Sequence, residues 1–211
     1  MTDHEPAPFD RDPDARAGFL AAAPLDDNVR RMFRTDLSLQ GYVANLTRLW
    51  AHSPEALAAL SYVLARASET AELDQRERAV VVTASAATLG DSYCSLAFGS
   101  KVAASAGVDA AVGVVSGDDQ ALSPRERALA TWSRHVVGDP NAIGPAEVDA
   151  LRAAGFDDGQ VFAVTLFVAL RLAFSTVNDA LGAAPDEELA ARVPPEVLAA
   201  VAYGRSPGFA A

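Results

Sequence analysis

The residues best suited to chemistry gather around one sulfur. The stretch "GDSYCSLAFG", residues 90–99, holds Cys94, the only cysteine in the chain. A thiol at the head of a helix is a candidate nucleophile, because the positive end of the helix favours its thiolate. Asp91, three residues earlier, is a helix-capping type and also a carboxylate available for acid–base work. Tyr93 can donate a phenolic proton or simply pack. With Asp91 as the cap, Cys94 takes the third helical position, and the carboxylate offsets the helix field there. Phe98, one turn on, supplies an apolar wall and no base. Both neighbours should raise the thiol pKa. No second thiol exists in the chain to resolve an oxidised sulfur, so a dithiol relay within one subunit is excluded. Two readings stay open. Cys94 is oxidised to a sulfenic acid and restored by an outside thiol, or it is a small buried hydrophobe, as free cysteines often are. The missing base and resolver weigh toward packing.

A second candidate interrupts an apolar run. Arg171 falls inside "VFAVTLFVALRLAFSTV", residues 161–177. A buried guanidinium needs a partner. Asp91 or Glu77 would supply it in a structural salt bridge; alternatively, Arg171 faces a pocket and holds an anionic ligand through paired hydrogen bonds. Asn178, one to two turns on and on a similar side, shares either role. The candidate catalytic residues are therefore Cys94, Tyr93 and Asp91, and the candidate substrate-binding residues are Arg171, Phe98 and Asn178. The chain has three histidines. They are scattered, with His52 reading as a loop residue and His135 as a late helical one, so no metal site is expected. No phosphate-cradling glycine loop is present, and no cofactor is expected.

The elements that must position these residues read as helices. Leu25, Val29, Met32 and Phe33 recur at helical spacing. "SPEALAALSYVLARA" (53–67) opens with Ser53 as cap and Pro54 in the first turn. Asp74 and Glu77 have capping-box spacing and open a helix to about Leu89, where Gly90 breaks it. The helix carrying Cys94 follows and stops near Gly107. Ser123 and Glu126 form a second capping box, opening a helix that ends near Gly138. A short helix closes at Gly155, and a long apolar helix over 158–181 closes at Gly182. Two short helices are expected around 186–192 and 195–203. No segment shows strand alternation, so the fold class is all-α. "LDQRERAVV" (73–81) and "LSPRERALA" (122–130) share L-x-x-R-E-R-A. That echo reads either as two duplicated helical hairpins or as two well-capped helices that converged on one opening. Residues 1–24, acidic and rich in proline, read as a flexible arm, and 25–211 as a single domain.

Composition narrows the partners. Seventeen Lys and Arg stand against 28 Asp and Glu, a net charge of -11. A surface so acidic repels nucleic acid and anionic lipid. All the basic residues are arginine except Lys101. No basic segment followed by a long apolar stretch opens the sequence, and the run at 161–177 falls short of a membrane span of about 20 residues. A cytoplasmic location follows as an expectation.

The layout resembles the AhpD-like, or carboxymuconolactone decarboxylase, superfamily, and within it the branch of peroxidase-related proteins. Three stretches carry the likeness: "GYVANLTRLWAHSPEALAAL" (41–60), the signature helix pair at 73–99, and 122–182 with its Ala-Gly-Phe before the long helix. Thiol-active members carry a Glu, a Cys-x-x-Cys and a His. Position by position these fall on Ala79, Asp91, Cys94 and Phe98, so only the second cysteine is kept. Glu77 does not replace the missing Glu, since two helical positions rotate a side chain by about 200°. The resemblance implies an all-α AhpD-like bundle that assembles as a homo-oligomer, trimeric or hexameric. It implies one-cysteine, thiol-dependent reduction of hydroperoxides with an external thiol reductant. Its alternatives are a metal-free lyase or isomerase acting on a small anionic substrate, and an inactive binding member of the fold.

Overall fold

The computed structural model describes residues 17–208. Eleven α-helices and a 3-10 turn account for the regular structure, with no strand among the described residues. In chain order they are α1 (Asp27–Gln40), α2 (Asn45–Trp50), α3 (Pro54–Thr70), α4 (Gln75–Leu89), α5 (Ser92–Ala106), α6 (Val108–Ser116), α7 (Pro124–Gly138), α8 (Pro145–Ala153), α9 (Asp158–Ala180), α10 (Glu187–Ala190) and α11 (Pro195–Ala200). The all-α reading holds. Helix α4 is the centre: it packs against α5, α7 and α9, and every residue from Ala79 to Ala86 is buried. Small and β-branched side chains (Ala, Val, Thr, Ser) all round that segment let three helices approach one backbone.

The start and stop signals act as their chemistry dictates. Asp74 accepts from Glu77 N at 2.8 Å while Glu77 returns a bond to Asp74 N, a complete capping box. Ser123 and Glu126 do the same for α7. The two openings then exchange partners. Arg125 Nε lies 2.7 Å from Glu77 Oε1, and Arg76 donates to Glu126 through Nη2 at 3.0 Å. Each repeat's arginine thus neutralises the capping glutamate of the other, which gives the shared R-E-R a structural role whatever its ancestry. Burial opposes the charge on Glu126, but bonds from Ser123 and the Arg76 guanidinium bring its carboxyl below the ordinary range.

Several expectations shift. Ser53 precedes α3 without a side-chain capping bond. Helix α6, which was not anticipated, follows α5 across Gly107. The C-terminal helices are shorter than expected, at 187–190 and 195–200. The expected arm lies largely outside the described residues, but 17–24 runs against the body. Phe19 N donates to Leu181 O at 2.9 Å, and Ala21 O lies 3.0 Å from His52 Nε2. The long helix α9 is long and apolar enough, by length and composition, to cross a membrane. Here it packs against α3, α4, α7 and α8 through Val161, Val164, Phe167, Val168 and Phe174.

Candidate functional site

The site begins at the α4–α5 turn. Gly90 adopts φ 86°, the left-handed conformation that glycine takes without strain, and its N–H closes α4 on Ala86 O. The chain emerges with Asp91 as cap, its Oδ1 accepting from Cys94 N at 2.9 Å. That bond fixes Cys94 in the first turn of α5, pointing into the main core with Val81, Val82 and Phe174. Cys94 is 2% exposed. Asp91 is fully buried, and its Oδ2 has no hydrogen-bond partner.

Helix α9 supplies the other wall. Arg171, Phe174, Ser175 and Asn178 share a face at three- and four-residue spacing. Arg171 Nη2 lies 3.1 Å from Cys94 Sγ, and Ser175 Oγ donates to the same sulfur at 3.7 Å. The Arg171 guanidinium sits between two rings, 4.9 Å from the Phe98 centroid and 4.8 Å from that of Phe174. Phe174 stacks on Trp50 at 5.2 Å, which completes an aromatic support. The expected partners of Arg171, Asp91 or Glu77, do not pair with it. Glu77 is taken by Arg125, and Asp91 is turned to its own helix.

The thiol's proton is held tightly. Burial pushes Cys94 up to about 12, and the Asp91 carboxylate adds to the rise, against the pull of Arg171 and Ser175. The sulfur is therefore a thiol at neutral pH. Arg171 connects it to open space: the same side chain, with Phe98, lines a cavity of about 300 Å³. Leu64 and Ser68 of α3, Arg78 of α4, Lys101 of α5 and Phe167 of α9 form other parts of its wall.

Two expected site residues serve other purposes. The Tyr93 hydroxyl donates to Asp186, whose Oδ1 also accepts from Asn45 N at 2.8 Å. This buried lock ties α5 to the start of α2, and burial beside a carboxylate raises the phenol well above its ordinary range. Tyr93 is thus engaged away from the sulfur. Asn178 is fully buried and accepts from Trp50 Nε1 at 2.8 Å, so it braces the aromatic support and is not part of the cavity wall. Sequence reasoning missed Ser175, Lys101, Arg78 and Ser68. Lys101 was within reach: Cys94, Phe98 and Lys101 follow one another at four and three residues, one stripe of a helix. Ser68 lies on another helix, and no sequence signal points to it. Among the described residues no group of three His, Cys, Asp or Glu side chains is placed to hold a metal ion.

No family model matches the sequence, and no curated protein matches it. Solved structures do. An uncharacterized peroxidase-related protein from Ralstonia eutropha JMP134, described as an alkylhydroperoxidase AhpD core, superposes with a TM-score of 0.71 at 22% identity, covering 85% of this chain and 99% of its own. An uncharacterized peroxidase-related protein from Silicibacter sp. TM1040 gives 0.71 at 20% identity, over 83% of this chain and 95% of its own. The debrominase Bmp8 gives 0.66 at 13% identity, over 83% of this chain and 97% of its own, and a Cys-to-Ala variant of it is solved with 2,3,4-tribromopyrrole. This chain is thus built on the AhpD-like helical fold of the peroxidase-related proteins.

Proposed function

We propose that this protein reduces hydroperoxides by one-cysteine, thiol-dependent chemistry at Cys94. The observation that carries the reading is the Arg171 guanidinium, 3.1 Å from the sulfur and in the cavity wall at the same time. A fixed cation at that place stabilises the thiolate and the negative charge that develops on the departing oxygen. Cys94 loses its proton to water, and the sulfur attacks the terminal oxygen of ROOH. The O–O bond breaks, and ROH leaves after taking up a proton. The resulting sulfenic acid reacts with one external thiol, releasing water and forming a mixed disulfide. A second external thiol then frees Cys94 and leaves as the disulfide. The sum is ROOH and two thiols giving ROH, water and one disulfide. Phe98 supplies the apolar surface beside the reacting atoms, and Asp91 sets the turn.

The same proposal takes in a trimeric or hexameric homo-oligomer in the cytoplasm. It draws on no metal or cofactor and meets neither nucleic acid nor membrane. The test is consumption of cumene hydroperoxide with dithiothreitol as donor. Wild type is expected to turn over and Cys94→Ser to fall to the uncatalysed background. A wild-type protein that consumes no hydroperoxide with any thiol donor sinks the reading.

The 2% exposure of Cys94 favours a second reading, in which the sulfur is packing. The fold would then bind a small anionic substrate at Arg171, or act on it as a metal-free lyase or isomerase. Binding or turnover that survives Cys94→Ser and is lost in Arg171→Ala selects this alternative.

A further inference from the structure

We propose that the cavity between α3, α4, α5 and α9 binds a small organic anion, a carboxylate carried on an apolar or aromatic body. This goes beyond hydroperoxide reduction, since a hydroperoxide need carry no charge; it rests on the anion-binding reading at Arg171 and names the ligand class and the further residues of that site. Three cations reach the cavity from three helices: Arg78, Lys101 and Arg171. Among the described residues none of them has a carboxylate partner, in a chain with 28 acidic residues. Their mutual repulsion is uncompensated, and an anion among them removes it. Lys101 registers that repulsion: burial first, then the charges of Arg171 and Arg78, lower its pKa.

Two further polar groups belong to residues of the cavity wall. Ser68 is 3% exposed, and both its Oγ and Arg171 Nε are buried with no hydrogen-bond partner. Orphaned donors of this kind are costly unless a ligand or water meets them. The remaining walls are apolar. Phe98 lies under both the Lys101 ammonium, at 4.2 Å, and the Arg171 guanidinium, at 4.9 Å, and Phe167 and Leu64 stand beside it. A volume of about 300 Å³ is at the small end for ligand pockets, which run about 300–1,000 Å³. Cations with apolar walls call for a charged head on a hydrophobic body, and inorganic anions satisfy only half of the site.

The probe is benzoate, titrated calorimetrically into the full chain at low salt, with benzamide and inorganic phosphate as comparison ligands. Benzoate should bind one per chain and at least about tenfold more tightly than either. Lys101→Gln and Arg78→Gln, both at exposed positions, should each weaken benzoate by about five- to tenfold, with thermal unfolding unchanged. Benzamide or phosphate binding as tightly as benzoate overturns the proposal, as does no heat from benzoate up to about 10 mM. Retained affinity in both variants overturns it too. The readout is binding heat and not turnover, so its failure stands apart from failure of the hydroperoxide reading.

Discussion

At Cys94 two opposed electrostatic effects meet in one helical turn. Arg171 and Ser175 favour the thiolate, whereas burial and the Asp91 carboxylate hold the proton, and the balance places the thiol at about 12. Because the folded pKa lies above the ordinary 9.0, the stability linked to this proton is complete below pH 9.0. It is lost as pH rises toward about 12. Asp91 is the adjustable member. Replacing it by Asn keeps a capping side chain and removes the negative charge. Alkylation of Cys94 by iodoacetamide at pH 8 is expected to speed up about tenfold in Asp91→Asn, a change of one pKa unit. Arg171→Gln is expected to slow it by a similar factor. Rates unchanged in both variants, measured by intact mass, would show that neither charge reaches the sulfur. The cap was legible in the sequence, because Asp followed three residues on by the helical N–H that it serves is a local pattern. The partner of Arg171 was not: a sulfur accepting from a guanidinium looks like nothing in composition, and of the two carboxylates the sequence offers, Glu77 is held by Arg125 of α7 and Asp91 by its own helix.

The helices owe their arrangement to signals of one turn's length and to contacts that those signals cannot reveal. Capping boxes at Asp74 and Ser123 were readable, as were the glycines after α4 and α9. The exchange of Arg76 and Arg125 between the two boxes was not, since it joins residues some fifty positions apart. The same holds for the lock from Tyr93 to Asp186. Helix α6 escaped notice because its start, Val108 after Gly107, has no side-chain cap. The exchanged pairs are a test at this scale. Glu126 is 5% exposed and Arg76 about a third exposed on its side chain. Removing one partner of such a pair strands a largely desolvated charge. Arg76→Ala is expected to cost about 2 kcal/mol in urea unfolding at pH 7. With Glu126 held below its ordinary 4.5, the pair's contribution is complete above that pH. It fades as pH falls through the folded value, so the wild-type advantage should shrink in acid. A loss under about 0.5 kcal/mol, or one that grows on acidification, would contradict the pairing.

In a chain of net charge -11, the cavity lined by Arg171 also takes Arg78 and the lone lysine, Lys101, into its wall. Among the described residues Leu39, Tyr62 and Phe162 are large apolar side chains about two-thirds exposed or more. Under the proposed assembly, light scattering at micromolar concentration should report three or six chain masses; a single chain mass would remove that part of the account. The all-α class followed from periodicity and capping, whereas the pocket arises only where four helices converge. The central claim, that Cys94 is the redox atom, is tested most directly by oxidising the native protein with cumene hydroperoxide from pH 7 to 10. Trapping the sulfenic acid with dimedone and weighing the intact chain reads the outcome. The account predicts one trapped adduct per chain, absent in Cys94→Ser. Its formation rate should climb about tenfold per pH unit without a plateau, as a thiol near 12 requires. No adduct on the folded chain at any of these pH values, or a rate that levels off near pH 7, would contradict it.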